Sequence, residues 1–209
     1  TNPAAGAKGT SLLLVERGMP GFSVGKRLKK MGMKAQDTSE LFFDQVRVPA
    51  EHLLGGDALE NKGFICLMEQ LPWERLQIAI SAVAAAQAAI DWTVDYVKER
   101  KVFGQTVGSF QNTRFTLVEC ATEAHIARVF VDDCITRLID GQLDSATASM
   151  AKYWCSEKAQ EAIHRCLQLH GGYGFMWEFP ISQAYVDARV TRIYGGTNEI
   201  MKELISRSV

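Results

Sequence analysis

The stretch from Asn61 to Arg100 constrains this fold more than any other part of the chain. Beyond Leu71-Pro72-Trp73-Glu74-Arg75-Leu76 it is rich in alanine, and Ile80, Val83, Ile90, Val94 and Val97 recur along one stripe. That spacing is helical and runs several turns without a breaker, so the stretch predicts the spine helix of a bundle. Pro72 predicts a division within it, a short helix running into the proline and a long one after it. Glu74 then falls in the first turn of the long helix, beside Trp73 and Leu71.

The remainder of residues 56–209 also reads as helical. Arg100 to Gln105 interrupts the pattern, with Gly104 and Gly108 as punctuation. A helix is expected from Gln111 to about Ile139. Phe115, Val118, Ile126 and Val129 mark one side of it and Leu117, Ala121, Ala124, Val131 and Leu138 another, which predicts burial on more than one face. His125 within it reads as a core or interface histidine. Asp144 or Ser145 can cap the next helix, which stops at Gly171-Gly172. Pro180 can open a fourth helix ending at Tyr194, and Thr197 can cap a last one carrying Ile200, Met201, Leu204 and Ile205. Long helices with short connections make a bundle.

Residues 1–55 read as β structure. Ser11 to Val15 is an apolar run suited to a buried strand, closed by Gly18 and Pro20; Glu40 to Val48 alternates up to Pro49. The basic cluster from Lys26 to Lys34 reads as a solvated strand edge, where lysines deter pairing, or as a landing site for an acidic partner or a phosphate. These strands are too few to close a sheet, so the segment is expected to complete one whose other strands lie elsewhere. With no Met at its start, and Thr1-Asn2-Pro3-Ala4 leading almost straight into a strand, the chain is expected to be a fragment.

Composition narrows the chemistry. An apolar fraction of 47% belongs to a globular protein with a core, and a formal net charge of -1 gives no electrostatic reason to expect nucleic acid. The five cysteines are widely spaced with no CxxC pair, and read as core hydrophobes of a reducing compartment. The four histidines lack zinc-like spacing, so no metal site is expected. No uninterrupted apolar run is long enough for a bilayer, and no signal peptide opens the chain. There is no GxSxG elbow; Asp132-Asp133 lies in a solvated helical context, and Gly171-Gly172-Tyr173-Gly174 is neither a P-loop nor a dinucleotide fingerprint. Glu74, taken alone, is equally an acid favoured by the helix dipole just after a proline.

Several ordered motifs carry a resemblance over the whole chain. Lys30 to Thr38, then Phe42-Phe43-Asp44-Gln45-Val46-Arg47-Val48-Pro49, resembles the end of the β-domain of acyl-CoA dehydrogenases. Glu99-Arg100-Lys101-Val102-Phe103-Gly104-Gln105, then Phe110-Gln111, resembles that family's flavin-binding signature. Gln168-Leu169-His170-Gly171-Gly172-Tyr173-Gly174 resembles a second signature, and Asp187-Ala188-Arg189 through Tyr194-Gly195-Gly196-Thr197-Asn198-Glu199 the closing one. Medium- and short-chain members carry their base glutamate at the position of Gly195. Long-chain and isovaleryl-type members carry it on the spine helix before an arginine, which Glu74-Arg75 matches, and the surrounding sequence is closest to the long-chain type.

The resemblance implies a mainly α fold: the end of an incomplete middle β-domain over residues 1–55, and over residues 56–209 a C-terminal domain of four-helix-bundle type. It implies α,β-dehydrogenation of an acyl-CoA thioester in fatty-acid β-oxidation, with Glu74 as base. Pro72, Trp73, Arg75, Gly195 and Gly196 would lie near substrate, Trp73 and Leu71 would wall the carboxylate, and Arg75 would approach the thioester or its pantetheine arm. Arg100, Phe103, Gln111, Gln168, Gly171 and Gly172 would hold FAD, largely across a subunit boundary, with Thr197 and Glu199 near the flavin. Relatives have glutamine where this chain has Glu199, and an acid there suits pyrophosphate less well. Electron-transferring flavoprotein would be the acceptor, the assembly a homotetramer (a dimer of dimers), and the location bacterial cytoplasm or mitochondrial matrix. The rival expectations are a non-catalytic helical oligomerisation module and an acyl-CoA oxidase.

Overall fold

The computed structural model describes all residues from Thr1 to Val209. They form two compact units, Thr1–Gln70 and Leu71–Val209.

In the first unit, β1 (Phe22–Arg27) pairs antiparallel with β2 (Ser39–Phe43) in the register Phe22↔Phe43 to Arg27↔Ser39, with a bulge between Val24 and Arg27. The strand expected over Ser11–Val15 is reduced to isolated bridges, Thr10 with Lys62 and Leu13 with Leu53. The strand expected to reach Val48 stops at Phe43, because the backbone turns at Asp44-Gln45 and Gln45 takes a left-handed φ of 49° that no strand accommodates. Part of the basic cluster is engaged locally: Arg27 pairs with Asp37 at 3.0 Å and Lys30 Nζ donates to the Gln36 carbonyl.

Helix α1 spans Gly63–Glu99 without interruption, so the division expected at Pro72 is absent. Proline removes one i→i−4 bond and ordinarily costs about 3 kcal/mol within a helix. The long apolar stripe that follows, with Leu76, Ala79, Val83, Ala86, Ile90 and Val97 all buried, outweighs that loss. By length and composition α1 is also apolar enough to cross a membrane, although it carries no long unbroken apolar run; Leu76, Ala79, Val83, Ala86 and Ile90 within it belong to the bundle core.

A short hairpin, β3 (Lys101–Val102) and β4 (Gln105–Thr106), leads into α2 (Gln111–Ile139), then α3 (Ser145–Leu169), α4 (Pro180–Ala188) and α5 (Asn198–Ser206). The fourth helix is shorter than expected: residues Arg189–Arg192 tighten into a 3-10 turn before the chain reaches Tyr194. α2 and α3 pack along their lengths, with small residues (Cys120, Ala124, Ala127, Val131, Cys134 against Ala151, Cys155, Ala159, Ala162, Cys166) that let the helices approach closely. Four of the five cysteines are therefore buried and all five are free thiols. Burial pushes the Cys155 thiol up to about 12 and Cys134 to about 11. Beside this seam Arg165 pairs with Glu119 and Glu123, and Lys158 with Glu123.

The expectation that α2 is buried on two faces does not hold within this chain. Phe115, Val118, Ile126 and Val129 are all more than half exposed, and His125 is exposed as well.

Asp144 caps α3 as expected, accepting from Thr147 N at 2.8 Å and from Thr147 Oγ1 at 2.6 Å. These bonds hold its carboxyl below the usual range. Asp144→Ala is expected to cost about 1 kcal/mol at neutral pH. The folded-state value is depressed, so this contribution is complete above the ordinary Asp value and is lost as pH falls through the folded one. Thermal melts of parent and variant should therefore differ at pH 7 and converge in strong acid.

Candidate active site

Glu74, Gln77, Ile78 and Ser81 follow one another at spacings of three, one and three, which places them on a single face of α1. Together with Tyr194 and Gly195 they line an open cleft of ≈ 340 Å³. Glu74 thus faces the Gly195 turn, and it is the sole carboxylate in the lining. Burial raises the Tyr194 phenol above its ordinary value, so it stays protonated at neutral pH.

Gly195 has φ +66 and Gly196 φ +92. A Cβ at Gly195 would lie 2.5 Å from Ile78 Cδ1, and one at Gly196 2.7 Å from Met201 Cε. The left-handed backbone favours glycine at both positions, and a side chain there would also have to displace the tip of Ile78 or of Met201. After the turn, Thr197 caps α5, its hydroxyl accepting from Ile200 N at 3.4 Å. Glu199 is exposed in the first turn of α5, its carboxyl lowered chiefly by a backbone hydrogen bond and by the Thr197 hydroxyl.

The neighbours of Glu74 go elsewhere. Arg75, one residue on and so about 100° further round the helix, is 5% exposed and turned into the bundle. Its guanidinium donates to Ser145 Oγ at 3.0 Å and Ser149 Oγ at 3.2 Å, and burial lowers its pKa against the pull of Glu74. It joins α1 to the start of α3 and does not enter the cleft. Pro72, Trp73 and Leu71 are likewise outside the lining, so the two apolar walls expected beside the carboxylate are replaced by Ile78 and Tyr194.

A second recess, of ≈ 460 Å³, lies where α1 ends and α3 gives way to its glycine turn. It brings together Arg100, Gly171 and Gly172, with Tyr96, His170 and Tyr173. The Arg100 guanidinium stands 5.1 Å from the centre of the Tyr173 ring. A Cβ built on Gly171 or Gly172 meets nothing within 4 Å, so the backbone there is open to close approach. An arginine set over an aromatic ring beside a bare glycine turn suits a diphosphate, and the residues present fit that part of a flavin dinucleotide. Phe103 (95% exposed, at the hairpin tip), Gln111 and Gln168 are exposed and stand outside the recess.

Sequence reasoning missed what holds these two glycine turns. Thr93 Oγ1 donates to the Ala89 carbonyl at 2.6 Å and lies 3.2 Å from His170 Nε2; Tyr96 stacks on His170 at 4.2 Å and donates to its carbonyl. Desolvation lowers the His170 pKa, so the ring is neutral at pH 7. At the other turn the fully buried Lys152 donates to the Gly196 carbonyl and to Asn198 Oδ1, each at 2.8 Å. One signal was available: Ala148, Lys152, Cys155 and Ala159 keep helical spacing, which sets a lysine inside an otherwise small, apolar stripe.

These features define a class: a helical-bundle domain with two glycine-walled recesses, one carrying a carboxylate and the other a cation. The chain belongs to the acyl-CoA dehydrogenase family, and the model of that family's C-terminal domain matches residues 61–209. It is 56% identical over 203 residues to the mitochondrial long-chain specific acyl-CoA dehydrogenase of Rattus norvegicus, covering 97% of this chain and 46% of that protein. An acyl-CoA dehydrogenase structure from Geobacillus kaustophilus superposes with a TM-score of 0.92 at 48% identity, over 97% of this chain and 52% of that one. Butyryl-CoA dehydrogenase of Megasphaera elsdenii gives 0.93 at 34% identity, over 100% of this chain and 54% of that one. The chain thus spans about half the length of the relatives it matches.

Proposed function

We propose that the protein containing this chain is an oxidoreductase that converts an acyl-CoA thioester to its trans-2-enoyl counterpart, with Glu74 as base. The observation that carries this reading is the cleft, in which Glu74 on α1 faces a glycine at residue 195. Relatives of the medium- and short-chain type hold their acid at that position. The tip of Ile78 stands 2.5 Å from where a β-carbon on residue 195 would lie, which supports an acid reaching in from α1 in place of one from the turn. The identity to a long-chain specific relative supports a long acyl chain.

In this mechanism the Glu74 carboxylate takes the α-proton, and the electron pair of that C–H bond becomes the new C=C bond as the β-hydrogen leaves with its pair. A bound FAD supplies the hydride acceptor. Backbone N–H groups of the Gly195–Gly196 turn would carry the charge that develops on the thioester oxygen, the larger electrostatic contribution in such steps. Glu74 is open to solvent in the cleft. The desolvation that makes a carboxylate more basic would therefore come from the thioester filling the cleft, in place of Trp73 and Leu71. Arg100, Gly171 and Gly172 would hold the diphosphate of FAD, as the open backbone of that turn favours.

The exposed stripe of Phe115, Val118, Ile126 and Val129 supports self-association, in line with a homotetramer. A second flavoprotein would take the electrons onward.

Colour tests the reading. The intact protein is expected to be yellow, and its flavin absorbance to bleach anaerobically on addition of a long-chain acyl-CoA. Peroxide release in air without an added acceptor would make it an oxidase. Colourless protein that still assembles through its helices would leave only the oligomerisation module.

A further inference from the structure

Lys152 is among the largest fully buried side chains, with 0% exposure, and no carboxylate touches it. Its two partners are neutral oxygens, the Gly196 carbonyl and Asn198 Oδ1. A bare ammonium in such a place is costly, and an apolar chain of the same length would pack there with less penalty. Burial accordingly lowers the lysine pKa to about 8, with Glu199 and Glu157 opposing that shift and Arg75 and Arg192 adding to it. A charge kept at such a cost invites the question of what it holds.

What it holds is the turn that faces Glu74. Gly195 and Gly196 are consecutive residues with positive φ, and a pair of glycines leaves the intervening peptide planes few barriers of their own. Lys152 reaches from α3 to the second of them. Asn198, 1% exposed, extends the restraint: its Nδ2 donates to Ser156 Oγ and to Glu157 Oε1, each at 3.0 Å, and Glu157 also receives Arg192. The chain from Arg192 through Glu157, Asn198 and Lys152 to Gly196 thus braces both ends of the segment 192–198 against α3.

We propose that Lys152 is a positioning residue: by donating to the Gly196 carbonyl it fixes the peptide planes of the Gly195–Gly196–Thr197 turn opposite Glu74. This rests on the reading of that turn as the wall that receives the thioester oxygen. A charge-assisted bond to a backbone carbonyl is the stronger kind of hydrogen bond, and it is placed where the backbone is otherwise most free.

Two measurements on the intact protein test it. Amide hydrogen exchange is compared between wild type and Lys152→Met, which keeps the length of the side chain and removes its donors. The amides of Ile200 and Met201, which donate to the Thr197 hydroxyl and carbonyl at the end of the turn, are expected to exchange at least about tenfold faster in the variant, with the middle of α2 and α3 unchanged. Unchanged exchange of these amides overturns the proposal. Should Lys152→Met not fold, Lys152→Gln retains an N–H donor one atom short, and a smaller acceleration confined to the same residues is expected; none overturns it.

The second measurement compares two ligands: a saturated acyl-CoA, and a 3-oxoacyl-CoA whose acidic α-carbon lets it bind as an enolate. Lys152→Met is expected to weaken the 3-oxoacyl-CoA about tenfold and the saturated thioester less than about twofold, because only the first places full charge on the turn. Equal weakening of both, or of neither, makes the lysine a structural tie and overturns the positioning role. Wild-type protein that binds neither thioester removes the proposed function, and the positioning role with it. The exchange data separate that outcome from failure of the lysine to hold the turn.

Discussion

Glu74→Gln in the intact protein is expected to keep its flavin and its affinity for acyl-CoA, and to lose flavin reduction by about 10²–10⁴-fold, the usual contribution of a positioned base. The substitution is nearly isosteric, so it leaves the shape of the cleft and the path of α1 alone. No other group in the lining can take the proton. Gln77 and Ser81 are not bases near neutrality, and Tyr194 is held protonated by burial. Folding should be little affected. Glu74 is exposed, and its Coulombic pull on Arg75 is secondary to the Ser145 and Ser149 hydroxyls that hold the guanidinium, so a change of less than about 1 kcal/mol is expected. Anaerobic stopped-flow bleaching measures the reduction step and equilibrium titration the binding. Near-normal reduction by the variant would remove Glu74 from the role of base.

Local chemistry was readable from the sequence, and long-range packing was not. Asp144 and Thr197 cap α3 and α5 as read, because a cap depends only on the next three residues. The bounds of α2 and α3 were likewise legible from their glycines and periodicity. The meeting of Glu74 and Gly195 came from family motifs; no spacing within the chain could reveal that residues so far apart share a cleft. Pro72 misled, since a local breaker was weighed without the buried stripe that follows it. The outer stripe of α2 misled in the opposite direction. Periodicity marks residues that need cover, and Phe115 and Val118 find none within this chain. The resemblance set Arg75 near the thioester or its pantetheine arm, yet one helical step from Glu74 turns it into the core. Lys152 was passed over because a lysine ordinarily marks a surface.

The second large effect is expected at Gly195, and it separates two reasons for a glycine there. Gly195→Ala places a β-carbon on a backbone at φ +66, a conformation that costs an L residue about 1–2 kcal/mol whatever surrounds it. It also brings that carbon to 2.5 Å from Ile78 Cδ1, which must move. Ile78→Val deletes that methyl and little else, at a cost of about 0.5–1.5 kcal/mol by itself. If contact contributes, the double variant will be more stable than the sum of the single ones, with a coupling of about 0.5–3 kcal/mol, as residues in contact show. If the backbone alone matters, the two costs will add. Denaturant unfolding of the four proteins reads the coupling, and the bleaching rate of each reads the site. A residue at 195 that keeps its contact with Ile78 pushes the wall of the cleft toward Glu74, so Gly195→Ala should slow reduction. Ile78→Val in the same chain should restore part of the loss. Restored stability without restored reduction would mean that the turn, and not the space beside it, sets where the thioester lies.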